Sequence, residues 1–182
     1  MQGTILEIPE VRVTKISVND YEMLCRNNPG QYEKTELFEG VIIEKMTKSS
    51  GHIFFKHYLV HEFQRILPGQ FFIQTEDSIR LGESVLEPDI SIIAGSFMDY
   101  RNSIPEAARL IAEISVSSLK YDREKARVYA KAKVPEYWII DVENRKVEVY
   151  SDPENEIYKS KIIYNFLDEI PVFERTVSLK NA

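Results

Sequence analysis

The sequence predicts an α/β (α+β) fold in which helices flank a mixed central β-sheet. Three observations favour this class: short apolar runs bounded by turn residues, helical periodicity in separate segments, and one helix between strands that can run parallel. The chain has 182 residues, of which 43% are hydrophobic, and this suits one domain with a sizeable core. We expect a single domain over residues 1–182, divided into an N-terminal helix and hairpin (17–46), a core (47–150) and C-terminal strands (151–182).

The first predicted elements are a short helix and a β-hairpin. Ser17 followed by Asp20 resembles a capping box and predicts a helix that begins there and reaches about residue 26. Glu39-Gly40 is typical of a hairpin turn. The strands of this hairpin are expected at residues 35–38 and 41–46.

The core is expected to contain two further helices and a run of strands. Ser49-Ser50-Gly51 predicts the start of a helix over about residues 52–67. Its inward stripe should hold Phe55, Tyr58, Leu59, Phe63 and Ile66, with His52 and Glu62 inside the stripe. Strands are expected at about 71–76, 78–81, 88–94 and 109–116, with a loop at 95–105. A helix at 122–133 should precede a hairpin of 137–141 and 146–150 and strand-like pieces near 157–166 and 172–177.

Composition limits the classes of partner and compartment. The formal charge is −6, from 23 basic and 29 acidic residues, so the chain cannot hold nucleic acid by bulk charge and needs a local basic patch or a bound cation. The longest stretch without a charged residue, 66–75, is too short for a membrane helix. Glu7 and Glu10 argue against a signal peptide, and the lone Cys25 cannot form an intrachain disulfide. We therefore expect a cytoplasmic location and no membrane contact.

Two strands each carry one acidic residue among apolar ones. Because side chains alternate along a strand, Asp89 should share a face with Ser91 and Ile93, and Glu113 should share a face with Ser115. If the strands are neighbours, the two carboxylates converge. At about 4 Å they would repel by roughly 4 kcal/mol, so a shared proton, a cation or a divalent metal must compensate. Oxygen ligands of this kind suit Mg²⁺ or Mn²⁺.

A lysine is available to compensate this charge. In the helix expected at 122–133, the inward stripe consists of Lys125, Val128, Tyr129 and Ala132. Lys125 can lay its methylene groups on apolar neighbours and direct its ammonium group towards the carboxylates.

Taken together, these motifs carry a resemblance to a known family. The matching segments are Leu37–Gly40, His52, Glu87-Pro88-Asp89, the strand through Glu113, Asp122–Lys125 and Val134–Asp141. From about Tyr32 to Tyr150 the chain resembles the PD-(D/E)xK nuclease superfamily and, more narrowly, the Uma-two (Uma2) family of restriction-endonuclease-like proteins.

The resemblance implies a restriction-endonuclease-like fold and an Mg²⁺- or Mn²⁺-dependent endonuclease that hydrolyses phosphodiester bonds in DNA. It implies a metal site on Asp89 and Glu113, with Glu39 as a further acid. The superfamily lysine usually lies two residues after the second acid, where this chain has Ser115, so Lys125 is our candidate for the catalytic lysine. The turn before the histidine, Lys48–Gly51, lacks the proline that is usual in the family. His52, Ser115 and Asp122 are expected to support the site, and Lys120, Arg123 and Arg127 to contact the nucleic acid.

Structural alternatives remain open for each residue. Glu113 and Lys125 can form a structural ion pair, Asp89 can cap a strand edge, and Glu39 can serve only the hairpin turn. The corresponding rival function is a catalytically inactive module with a nuclease fold that binds nucleic acid or a protein. Free strand edges near the C-terminus also favour a homodimer.

Overall fold

The computed structural model describes residues 13–182 of the chain. Its helices are α1 (Val18–Asn27), α2 (Pro29–Tyr32), α3 (Ser50–Ile66) and α4 (Leu119–Lys131), with a short 3-10 turn at Phe97–Tyr100. Its strands are β1 (Thr35–Phe38), β2 (Val41–Glu44), β3 (Phe71–Gln74), β4 (Ile79–Leu81), β5 (Ser84–Leu86), β6 (Ile90–Ala94), β7 (Leu110–Ser115), β8 (Glu136–Asp141), β9 (Lys146–Glu154), β10 (Ile157–Asn165), β11 (Ile170–Val172) and β12 (Arg175–Val177).

The main sheet has six strands in the order β10-β9-β8-β7-β6-β3. Strands β7 and β8 run parallel and are joined through α4, whereas the other neighbouring strands run antiparallel. A second sheet has the order β2-β1-β5-β4, and β11 pairs with β12. The predicted α+β class with a mixed central sheet is therefore confirmed.

The two faces of the main sheet build two separate cores. Leu110, Ala112 and Ile114 of β7 pack on the face that α3 covers with Phe55, Leu59 and Phe63. Ile111 lies on the other face, in the core that includes Val128 and Tyr129 of α4 and residues of the second sheet. This alternation follows from the period of two along a strand, and it confirms the predicted faces of β7.

Serine residues fix the starts of two helices as predicted. The Ser17 side chain accepts a hydrogen bond from the Asp20 N–H at the start of α1. The Ser49 side chain likewise accepts from the His52 N–H at the start of α3, at 3.2 Å. Each hydroxyl satisfies a backbone donor that has no partner within its helix. As a result, His52 is held in the first turn of α3.

Three predictions about the strands were wrong, and the turns explain why. Residues 84–86 form strand β5, where no strand was expected, because Gly82-Glu83 alone connects β4 to β5. Strand β9 continues to Glu154, and the expected piece at 172–177 is a hairpin of β11 and β12. In these two hairpins the turn residues Asn155-Glu156 and Phe173-Glu174 adopt positive φ angles. Neither pair contains the glycine that normally signals such a turn.

Some predictions fall outside what this description covers. Residues 1–12, which include Glu7 and Glu10, lie outside the described residues. The extent of the single domain and the cytoplasmic location stay predictions. Among residues 13–182, no helix has the length and apolar character needed to cross a bilayer.

Candidate active site

The site lies where β6 and β7 diverge. Their ladder ends at the pair Ile90 and Ala112, and the next residues on the two chains are Asp89 and Glu113. Asp89 Oδ2 accepts a hydrogen bond from the Ile114 N–H at 2.8 Å, and Glu113 Oε2 accepts from the Asp89 N–H at 3.2 Å. Each acidic side chain thus accepts a hydrogen bond from a backbone N–H of the opposite strand segment. The structure therefore brings both acids together where the two strands separate.

Three side chains with metal-ligating atoms meet on one side of this point. One ligand atom each of His52, Glu76 and Asp89 lies within 4.8 Å of the others, and we call this group the triad. His52 Nε2 is 2.9 Å from Asp89 Oδ2. Glu76 follows β3 with a φ angle of 57°, and its N–H donates to the Pro88 carbonyl at 3.0 Å. The backbone therefore ties Glu76 to the segment that carries Asp89.

Two lysines compensate the charge of the triad. Lys48 Nζ lies 2.6 Å from Glu76 Oε1 and 3.4 Å from Asp89 Oδ1. Lys56 of α3 is buried and also forms an ion pair with Glu76. Lys48 belongs to the irregular segment between β2 and α3, so only Lys56 is held by a helix.

A second group lies on the α4 side, and we call Glu36, Glu113, Lys125 and Tyr129 the Lys125 cluster. Lys125 Nζ is 3.0 Å from Glu113 Oε1 and 3.4 Å from Glu36 Oε1. The Tyr129 hydroxyl donates to Glu113 Oε1 at 2.8 Å. Because the Lys125 side chain is only 7% exposed, its ammonium group is enclosed by the acids that it pairs with.

The two neighbouring acids differ in the direction of their pKa shifts. Burial raises the pKa of Glu113; Lys125 opposes this effect, and Asp89 and Asp122 add to it. Burial also acts to raise the pKa of Asp89, but the hydrogen bond from His52 and the N–H of Ile114 outweigh it and lower the pKa. Opposite shifts in adjacent carboxyl groups are typical of sites that handle protons or cations.

The family follows from a match over most of the chain. A family model described as "Uma2: Putative restriction endonuclease" matches residues 18–180. The chain belongs to the Uma2 family. The resemblance inferred from its motifs is thereby confirmed. No curated protein gives a match.

A solved structure supports the same fold for this Uma2 protein. The chain is similar to the crystal structure of a putative nuclease belonging to DUF820 from Anabaena variabilis ATCC 29413. The TM-score is 0.72 at 21% sequence identity, over 91% of this chain and 96% of the other. At this identity the likeness concerns the fold, and it agrees with the restriction-endonuclease-like architecture expected from the sequence.

Several site residues predicted from the sequence come together in the Uma2 fold. Asp89 and His52 belong to the triad, and Glu113 and Lys125 belong to the other cluster. Ser115 is buried on β7, and its hydroxyl has no hydrogen-bond partner among the described residues. Asp122 accepts a hydrogen bond from the Ser118 hydroxyl at 2.6 Å in the first turn of α4. Burial raises its pKa.

Other predicted residues lie apart from both groups. Glu39 occupies the β1–β2 turn with a φ angle of 49° and forms an ion pair with Arg127. Arg127 also pairs with Glu156, and Arg123 pairs with Glu148. Two of the three basic residues expected at the nucleic acid are thus engaged by carboxylates. Lys120 is exposed and has no ion pair within residues 13–182.

Sequence reasoning missed Glu36, Glu76 and Lys48. Glu36 precedes two apolar residues of β1, and all four residues of this strand are buried. An acid beside apolar strand residues is the same signal that indicated Glu113, and it could have predicted the burial of Glu36. Lys56, on the inward side of α3, gave a weaker sign that an acid such as Glu76 faces it. Nothing in the local sequence distinguishes Lys48 from an ordinary loop lysine.

Proposed function

We propose that this protein is a divalent-metal-dependent nuclease that hydrolyses phosphodiester bonds in DNA. The observation that carries the proposal is the meeting of the triad and the Lys125 cluster at the point where β6 and β7 diverge. The family description and the printed name of the DUF820 neighbour support the same activity.

The residues of the triad fit a divalent cation. Two carboxylates with an adjoining imidazole form a donor set that suits Mn²⁺ or Mg²⁺. In our proposal Asp89 and Glu76 hold the cation, with His52 beside them. In this proposal Glu76 replaces Glu113 and Glu39 of the metal site that the resemblance implied, because Glu113 pairs with Lys125 and Glu39 with Arg127. When bound, the cation supplies a polarised phosphoryl oxygen and a water molecule of lowered pKa.

One ring nitrogen of His52 has no hydrogen-bond partner among the described residues. Its Nε2 contacts Asp89, and its Nδ1 is buried without a hydrogen-bond partner. Asp89 fixes the imidazole ring, and a neutral histidine with Nε2 protonated leaves Nδ1 as an acceptor. We therefore assign to Nδ1 of His52 a hydrogen bond from a buried water molecule beside the site.

In this proposal Lys125 does not contact the phosphate directly. Its ammonium group lies between Glu113 and Glu36 and is nearly enclosed. Glu113 in turn accepts a hydrogen bond from the Asp89 N–H. Lys125 is therefore a positioning residue in this proposal, and not the catalytic lysine that the resemblance implied.

Incubation of purified protein with plasmid DNA tests the proposal. We expect nicking or linearisation with Mg²⁺ or Mn²⁺ and none with a chelator. Asp89→Asn and Glu113→Gln should lose cleavage, whereas Glu39→Gln, an acid outside both groups, should retain it. Cleavage by the Asp89→Asn and Glu113→Gln variants at the wild-type rate would contradict the proposal.

One observation favours a second candidate, a nuclease-fold module without catalysis. Each acid of the two groups already has a lysine partner: Lys48 and Lys56 at the triad, and Lys125 at Glu113 and Glu36. Such pairing would satisfy a purely structural network. Calorimetric titration distinguishes the two, because a nuclease takes up Mg²⁺ or Mn²⁺ and a structural network has no need of it. A module that binds nucleic acid would still lose affinity steeply with salt, and one that binds protein would not.

We also propose that the protein pairs with a second copy along β10. This strand is nine residues long, lies at the edge of the main sheet and exposes Ile157, Ile162 and Ile163. An exposed edge with apolar side chains is a ready template for another strand. Light scattering after size-exclusion chromatography measures the mass, and a monomer at all concentrations would contradict pairing.

A further inference from the structure

Lys48 occupies the place between the two acids that would hold the cation. Its ammonium nitrogen is 2.6 Å from Glu76 Oε1 and 3.4 Å from Asp89 Oδ1. Yet its side chain is 33% exposed, and every residue from Met46 to Ser50 is exposed. The lysine is thus in contact with both the acids and the solvent.

The other lysines of the site cannot change partners as easily. Lys56 and Lys125 lie on α3 and α4, are buried, and are surrounded by packed side chains. Withdrawing the Lys125 ammonium group would leave Glu113 and Glu36 without a lysine partner in a buried position. Lys48 belongs to an irregular segment, residues 45–49, between β2 and α3. It can therefore exchange its partners at the smallest cost.

A divalent cation on Asp89 and Glu76 would compete with Lys48. Like charges repel, and both would claim the same carboxylate oxygens. The same cation would attract a phosphate anion, which is what a lysine ammonium group binds well as a point charge with three donors. The first turn of α3, beside Lys48, adds the positive end of a helix dipole.

We propose that Lys48 is the lysine that contacts the substrate phosphate. It pairs with Glu76 and Asp89 in the free protein, yields these acids to the divalent cation, and moves onto the phosphate of the bound strand. This inference rests on the proposed function, because it requires both the cation and the nucleic acid.

A pair of variants separates this role from general charge. Lys48→Met removes the ammonium group and keeps the length of the side chain. Lys45→Met is the matched control, because Lys45 begins the same irregular segment but pairs with Glu87 and has no ion pair with the triad. Titration calorimetry with Mn²⁺ measures cation binding. Fluorescence anisotropy with a short phosphorothioate DNA duplex in Mn²⁺, over a range of salt, measures nucleic-acid binding.

We expect changes of opposite sign for the Lys48→Met variant. Mn²⁺ should bind roughly three- to tenfold more tightly, because a competing cation is gone. DNA should bind about five- to tenfold more weakly, and the slope of log K against log salt should fall by about one, as for the loss of one phosphate contact. Lys45→Met should change Mn²⁺ affinity by less than about twofold.

Two results would overturn the assignment. Weaker Mn²⁺ binding by Lys48→Met would make the lysine a structural partner of the acids. Equal behaviour of the two variants in both titrations would remove its special role, even if the wild-type protein cleaves DNA. If the wild-type protein neither binds Mn²⁺ nor cleaves DNA, the proposed function fails, and the role of Lys48 fails with it.

Discussion

The triad and the Lys125 cluster lie side by side at one gap in the sheet and differ in how their charges are held. Glu76 in the triad is 34% exposed, and one of its lysine partners comes from an irregular segment. In the Lys125 cluster all four side chains are buried and hydrogen-bonded within the fold. The comparison indicates a division of roles. The triad is the open side of the site, where charged groups can exchange partners, and the buried Lys125 cluster keeps the side chains in place.

Asp89 and Glu113 connect the two groups. Each carboxylate accepts a backbone N–H from the opposite strand segment, so the two groups are linked through the backbone. The pKa of Asp89 is lowered while the pKa of Glu113 is raised. The surroundings of Asp89 thus favour its carboxylate form, whereas burial favours the protonated form of Glu113.

The largest expected effect is on the stability of the fold. It tests whether the buried Lys125 cluster stabilises the protein more than the ion pairs of Lys48. Lys125→Met removes the buried ammonium group that Glu113 and Glu36 contact, so we expect a loss of about 3–5 kcal/mol in the free energy of unfolding. Lys48→Met should cost less than about 1 kcal/mol, because its ion pairs are partly exposed. Urea denaturation measures both. Equal losses would remove the distinction between the two groups.

The next effect is on cation binding and cleavage, and it tests the open side. Asp89→Asn removes an acid that would hold the cation, so we expect cleavage to fall about 100-fold or more. Mn²⁺ uptake, measured by calorimetry, should be lost in the same variant. Lys125→Met, where it remains folded, should still take up Mn²⁺ at the triad while cleaving poorly. Retained Mn²⁺ binding by Asp89→Asn would place the cation elsewhere.

The smallest effect concerns pH, where the two acids should act with opposite signs. Asp89 has a lowered pKa, so its contribution to stability is present above its ordinary pKa of about 3.9 and is lost as the pH falls below that value. Burial raises the pKa of Glu113 to about 8. Its contribution is therefore present below its ordinary pKa of about 4.3 and is lost as the pH rises through about 8.

Urea denaturation across the pH range should show that Asp89→Asn flattens only the acid limb of the stability curve. Glu113→Gln should flatten only the part of the curve between about pH 4.3 and about pH 8. Loss of the same limb in both variants would mean that the acids titrate as one unit.

The sequence predicted the fold class because its signals are local. Serine caps, the Glu39-Gly40 turn and alternating strands each depend on a few neighbouring residues, and they located α1, α3 and the main sheet. The hairpins at Asn155-Glu156 and Phe173-Glu174 were missed because positive φ angles there are imposed by strand pairing and not by glycine.

The site was predicted only where an unusual residue marked it. Asp89, Glu113 and Lys125 are charged residues at positions that the periodicity makes inward-facing, and charge in such places needs a reason. Glu76 and Lys48 lie in irregular segments where a charged residue is ordinary. Their position beside Asp89 depends on how β3 and the segment before α3 meet across the sheet, which is a tertiary fact.

The hydrogen bond from the Ile114 N–H to Asp89 Oδ2 has a consequence for observing the protein at work. Ile114 lies in a buried strand with this carboxylate as its acceptor, so its hydrogen should exchange slowly with deuterated solvent. Any ligand that pulls Asp89 outward would release that hydrogen. We therefore expect deuterium uptake at this one amide to report any ligand that displaces Asp89, without turnover.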